Sequence, residues 1–268
     1  MTARTPDDEA AIEASKAPLL EHLVELRTRL MYAGGFFIVA FLVSYYFAQT
    51  IYNFLLQPLS DILAGSPDRR LIYTGLPEAF FTQLKLGMWA ALMLSFPFFA
   101  VQIWKFVAPG LYRNERAAFA PFLAATPVLF VLGAALVYYL IFPLAWRFFL
   151  SFETPGDVGT LPIMLEPKVN EYLSLVMTLI FAFGLAFQLP VVLTLLIRAG
   201  ILSTESLAKK RRYAIVGVFA FAAVVTPPDV ISQVGLAIPL LGLYEISILI
   251  GRLIERNRAR REAADAAV

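Results

Sequence analysis

Six stretches of this chain are apolar for long enough to be read as membrane-crossing helices, and that pattern leaves few folds open. A hydrocarbon core of about 30 Å takes roughly 20 apolar residues in a helix. The stretches are residues 31–48, 80–104, 118–142, 172–197, 213–225 and 231–250. None alternates apolar and polar residues as a barrel strand does, so the expected fold is an all-α integral membrane bundle. Composition agrees: 59% of the 268 residues are apolar and 16% charged, against about 45–50% and about 25% in soluble domains. With no Cys and a single His, His22, a disulfide framework, a thiolate nucleophile and a multi-histidine metal site are excluded. A net charge of +2 is a poor basis for binding nucleic acid.

The placement of charge is more telling than its sum. Of the 22 Lys and Arg, Arg69, Arg70, Arg147 and Lys168 fall on one side of the six spans and Lys85 within one. All the others fall opposite, in the tail before residue 31, the loops after the second and fourth spans, and the tail after residue 251. The positive-inside rule then puts both termini in the cytoplasm. The first residues carry Asp7, Asp8, Glu9 and Glu13, where a signal peptide would be basic, so no cleaved leader is expected. The fifth stretch is only about thirteen residues, roughly 20 Å, and runs into Thr226-Pro227-Pro228-Asp229. Pro97, Pro121, Pro127, Pro190 and Pro239 lie in other spans, so the helices should be kinked. Between the first two spans, Ile51, Phe54, Leu55, Leu59 and Ile62 recur at helical spacing. They predict a short amphipathic helix on the outer surface, interrupted at Pro58.

Several polar residues need an account in so apolar a chain. Before span one, Glu21-His22-Leu23-Val24-Glu25-Leu26-Arg27-Thr28-Arg29-Leu30 places Leu19, Leu20, Leu23, Leu26 and Leu30 on one helical face. Glu21, His22, Glu25, Thr28 and Arg29 lie on the other, and Arg27 projects among the leucines. The plain account is an interfacial helix with Glu25 and Arg29 as an i,i+4 pair and Arg27 snorkelling to the headgroups; the alternative is a binding site. After span two, Pro109-Gly110-Leu111-Tyr112-Arg113-Asn114-Glu115-Arg116 sets one acid between two arginines. Gln188, two residues before Pro190, falls near mid-membrane, where an amide bonds a neighbouring helix or a carbonyl freed by the proline. Glu245 is the acid well inside a span and is either functional or a structural hydrogen-bonding group; Lys85 is too far from it to be an obvious partner. Asp229 suits an N-cap for the last span. No nucleophile–base set or phosphate loop emerges, so an enzyme is not expected.

These motifs resemble a known family. His22-Leu-Val-Glu25-Leu-Arg27-Thr-Arg29-Leu30 is similar to the N-terminal signature of the TatC family, the receptor subunit of the twin-arginine protein translocase. Phe106-Val-Ala-Pro109-Gly-Leu111-Tyr112-Arg-Asn-Glu115-Arg116 resembles that family's first cytoplasmic loop. Ala182-Phe-Gly-Leu-Ala-Phe-Gln188-Leu-Pro190 resembles its fourth span. Lys209-Lys210-Arg211-Arg212-Tyr213 followed by Thr226-Pro227-Pro228-Asp229 resembles its fifth-span region. The likeness covers residues 19–252, leaving 1–18 as a disordered cytoplasmic tail and 253–268 as a frayed or disordered one.

The resemblance implies six kinked transmembrane helices in a concave, glove-like bundle with short fifth and sixth spans, in the bacterial cytoplasmic (inner) membrane. It implies no cofactor and no metal. The expected partners are twin-arginine signal peptides of folded precursors, single-span TatA- and TatB-type subunits, further copies of the chain and membrane lipid. Transport would be driven by the proton-motive force. It also implies that Glu25 and Glu115 recognise the paired arginines, with Phe106 beside them, and that Arg27, Pro58, Gln188 and Asp229 support or orient the site. Gln188 stands where many relatives carry Glu, so a titrating carboxylate is not available at that position. Two other readings stay open on the residues alone: a small-solute transporter built on Glu245 and Gln188, and a passive assembly scaffold.

Overall fold

The computed structural model describes residues 6–64, 70–107, 120–154, 161–226 and 229–265. They form α1 (Pro6–Tyr46), α2 (Ala48–Leu63), α3 (Glu78–Val107), α4 (Ala120–Leu136), a π-helical turn (Val137–Ile141), α5 (Phe142–Leu150), α6 (Val169–Ala186), α7 (Leu189–Arg198), α8 (Thr204–Lys209), α9 (Arg211–Val225) and α10 (Val230–Asp265). Among the described residues the extended contacts are two isolated bridges, Ile72 with Lys168 and Thr154 with Ile163. The chain is an all-helical, multi-pass membrane protein. Both α1 and α10 reach into the segments read as tails.

Five of the six expected stretches fall in helical segments long and apolar enough to cross a membrane: His22–Tyr46, Glu78–Ile103, Pro121–Leu150, Val169–Arg198 and Val230–Arg260. The remaining one is α9, at 15 residues about 22 Å long. The stretch expected as the sixth span lies within a longer helix. α10 has 36 residues, because the Ala-, Arg- and Glu-rich tail is made of good helix formers and carries the apolar stretch onward without a stop signal. Pro97, Pro127 and Pro239 stay inside their helices. Pro190 does break its span, with α6 ending at Ala186 and α7 starting at Leu189.

α6 is the centre of the molecule and α1 its edge. Leu173, Val176 and Phe183 of α6 are fully buried against Val137, Phe142 and Leu236. In the 18-residue apolar stretch within Val169–Arg198, 61% of the residues are enclosed; for His22–Tyr46 the share is 6%. Glycines set the closest approach between α4 and α6: a Cβ on Gly133 would come within 2.5 Å of the Phe183 carbonyl oxygen. Small residues at such crossings let backbones pack where lipid supplies no hydrophobic drive. α1 leans on α3 instead, through the stacked rings of Phe36 and Phe98 at 4.5 Å and at Gly87, where a Cβ would stand 3.2 Å from the Tyr45 Cα.

The amphipathic segment after α1 needs correcting. α2 is not interrupted but runs through Pro58. Proline supplies no N–H, which strands the carbonyl four residues back, and that carbonyl belongs to Phe54. The Tyr138 hydroxyl donates to it at 2.7 Å, and the Tyr172 hydroxyl donates to the neighbouring Leu55 carbonyl at 2.8 Å. The Tyr138 phenol thus replaces the bond the proline removes, and the two phenols together fasten α2 to the bundle.

Candidate functional site

The N-terminal portion of α1 and the C-terminal portion of α3 meet at the same end of the bundle as the basic residues of α8, α9 and the α10 extension. Because α1 is a continuous helix, Glu25 and Arg29 stand one turn apart. The Arg29 Nη2 donates to Glu25 Oε1 at 2.8 Å, with the two side chains 28% and 32% exposed. The other terminal nitrogen of Arg29 points across to α3, where Nη1 lies 3.5 Å from Gln102 Oε1. Gln102 is 9% exposed. One turn further along α3, the Phe106 ring stacks on the His22 imidazole, centroids 4.2 Å apart and planes 19° off parallel.

Beside these groups runs an apolar groove of about 520 Å³, lined by Leu26, Leu30, Phe37, Phe99 and Ile103 with Arg29, Gln102 and Phe106 also contributing. It lies in the seam between α1 and α3 described above. The Glu25 carboxylate stands outside this lining and reaches the groove's edge through its bond to Arg29. A ligand with a cation next to an apolar run is matched by both parts.

The structure brings Glu25 and Phe106 to one end of one helix pair. Arg27 is exposed on α1. Glu115 lies outside the described residues. Pro58 is buried in α2 at the opposite end of the bundle. Gln188 is buried at the break between α6 and α7; its Nε2 donates to the Thr126 carbonyl of α4 at 3.0 Å and lies 3.5 Å from the Gly184 carbonyl. That is the neighbouring-helix bond expected of it. Asp229 caps α10, its Oδ1 accepting from the Ser232 N–H at 2.6 Å, also as expected.

Comparison with known proteins places this geometry. The family model described as Sec-independent protein translocase protein (TatC) matches residues 21–239. The TatC of Magnetococcus marinus is 53% identical over 94% of this chain and 90% of its own length. That of Escherichia coli K12 is 40% identical over 91% and 92%.

This chain belongs to the TatC family.

A crystal structure titled twin arginine translocase receptor TatC superposes with a TM-score of 0.71 at 38% identity, covering 87% of this chain and 99% of that one. A second, of the twin arginine translocase receptor TatC in DDM, gives 0.72 at 38% identity over 86% and 99%. The relatives are named as components of a protein translocase, a transport role rather than a catalytic one.

Within this TatC chain the structure also places groups that the sequence left without partners. Glu245 is not isolated: the Arg211 Nε and Nη2 donate to its two carboxylate oxygens, each at 2.7 Å. A signal was present. α9 and α10 form an antiparallel hairpin, and Arg211 precedes Pro227 by about as many residues as Glu245 follows it. Lys85 instead donates to the Ser174 Oγ at 2.6 Å, joining α3 to α6. Glu255 accepts from the Thr204 N–H at 2.9 Å and from its hydroxyl, which seats the α10 extension on the start of α8.

Proposed function

We propose that this chain is the signal-peptide receptor of the twin-arginine translocase in the bacterial cytoplasmic membrane. In this reading α9 is the short fifth of six spans, both termini are cytoplasmic, and the bundle presents a concave face to its ligand. Glu25 and Glu115 hold the paired arginines of the signal peptide, Phe106 borders them, and TatA- and TatB-type subunits assemble on the loaded receptor for export driven by the proton-motive force. The clustering of Lys and Arg at the Glu25 end supports the orientation.

The single observation that carries the reading is that Arg29, which lines the apolar groove between α1 and α3, is hydrogen-bonded to Glu25 one turn earlier on α1. A targeting peptide offers cations followed by an apolar stretch, and this end of the bundle offers a carboxylate beside a trough of about 520 Å³. A guanidinium fork binds a carboxylate through two parallel bonds, which an ammonium cannot match. The small-solute transporter loses its main support, since Glu245 is spent on Arg211 and the Gln188 amide on Thr126.

The test is peptide binding to the full chain in nanodiscs. A peptide with paired arginines is expected to bind and its paired-lysine version to bind more weakly. Glu25→Gln is expected to raise the Kd about tenfold or more, since a hydrogen bond to a charged group is worth about 1.5–3 kcal/mol. Equal binding of both peptides, or a Glu25→Gln protein that binds as the parent does, defeats the assignment.

A further inference from the structure

The Glu25 carboxylate is not vacant. Arg29 already presents to it the group that the proposed ligand would bring, a guanidinium, 2.8 Å from Oε1. The bond is single: one Arg29 nitrogen meets one Glu25 oxygen, and the second terminal nitrogen is turned toward Gln102 at 3.5 Å. Arg29 therefore has an alternative acceptor within reach, a largely buried amide on a different helix. The ordinary role of an i,i+4 pair is to stabilise its own helix by a few tenths of a kcal/mol. That role accounts for Glu25 but not for the reach to α3.

We propose that Arg29 is a built-in competitor for Glu25: it occupies the carboxylate in the unloaded protein and is displaced onto Gln102 when a peptide guanidinium arrives. The inference rests on the receptor reading of Glu25 given above. Its consequence is a threshold. A cation that makes one bond to Glu25 merely replaces the bond it breaks, whereas a fork that makes two gains one. At a given concentration weak cationic segments then leave Glu25 closed. Because Arg29 competes with every ligand alike, it lowers the affinity for arginine and lysine peptides by the same factor; the threshold comes from that shared penalty, and the preference between the two remains with Glu25.

The experiment is a binding cycle on the full chain in nanodiscs with the paired-arginine and paired-lysine peptides. Arg29→Gln is expected to tighten both by about two- to fivefold, the range for a partly exposed pair. In a Glu25→Gln background the same change is expected to do nothing. Gln102→Leu, which removes the alternative acceptor, is expected to weaken the paired-arginine peptide more in the parent than once Arg29 is Gln. Should Arg29→Gln fail to fold, Arg29→Met keeps an unbranched stem beside the groove and carries the same expectations.

Weaker binding by the Arg29 variants overturns the proposal, since Arg29 would then be positioning Glu25. So does tightening of the same size with and without Glu25, which would reduce Arg29 to a distant positive charge. These outcomes are separable from failure of the receptor reading. If Glu25→Gln leaves peptide binding unchanged, that reading fails; if it weakens binding but Arg29→Gln does not tighten it, only the competitor role fails.

Discussion

Two glutamate–arginine pairs in this protein use the same groups to different ends. Glu25 and Arg29 sit on one helix, share one hydrogen bond and are about a third exposed. Glu245 and Arg211 sit on two helices, share two bonds of 2.7 Å and are nearly half exposed. The second pair engages both carboxylate oxygens and ties α9 to α10; the first engages one oxygen within the continuous α1 and leaves Arg29's other nitrogen to reach α3. Exposure alone would rank them the other way, with the more open pair as the binding site. Bond count and connectivity are the better guide: a carboxylate that closes a bidentate bridge between helices is structural, and one with an oxygen to spare can exchange partners.

The contrast is broken most forcefully by exchanging the charges. Glu25→Arg with Arg29→Glu keeps an ion pair on α1 yet is expected to cost about tenfold or more in affinity for the paired-arginine peptide, because the outward carboxylate becomes a cation. Arg211→Glu with Glu245→Arg is expected to leave that affinity within about twofold, since only the bridge is reversed. Titration of both proteins in nanodiscs reads the difference, and equal losses would end the distinction between the pairs.

A smaller effect sharpens it. Glu245→Ala removes the bridge at the head of α9 and is expected to lower stability by about 1 kcal/mol, the upper end for an exposed pair. Hydrogen exchange should quicken in α9, whose sole buried residue among those described is Ala222, while α1 keeps its protection. Gln188→Leu serves as the buried control. It loses the bond to the Thr126 carbonyl, worth about 1 kcal/mol or less net, and is expected to lower the melting temperature slightly without moving peptide affinity.

What was legible in the sequence followed from local chemistry. The long apolar stretches announce themselves by length, Asp229 by standing just before one of them, and Gln188 by its offset from Pro190. The i,i+4 spacing alone was enough to pair Glu25 with Arg29. What was not legible depended on distant partners. Pro58 read as an interruption because the hydroxyl that compensates for it is on Tyr138, 84 residues from the Phe54 carbonyl it serves. Glu245 seemed unpartnered because Arg211 looked like one more loop cation, although the turn between their helices brings them level. The length of α10 escaped because a basic, alanine-rich tail reads as solvated chain until its helix propensity is weighed. The pairing of Phe106 with His22 had no local signature at all.

The proline in α2 has a consequence for how this protein can change. Pro58 and Tyr138 behave under mutation as one character with a preferred order of loss. Replacing the proline first restores a backbone N–H for the Phe54 carbonyl, after which the phenol at 138 is free to become Phe. Losing the phenol first leaves that carbonyl bare in an apolar bundle, at a cost of about 1–3 kcal/mol. The two substitutions are therefore non-additive, and descent through the second route is closed where the first is open.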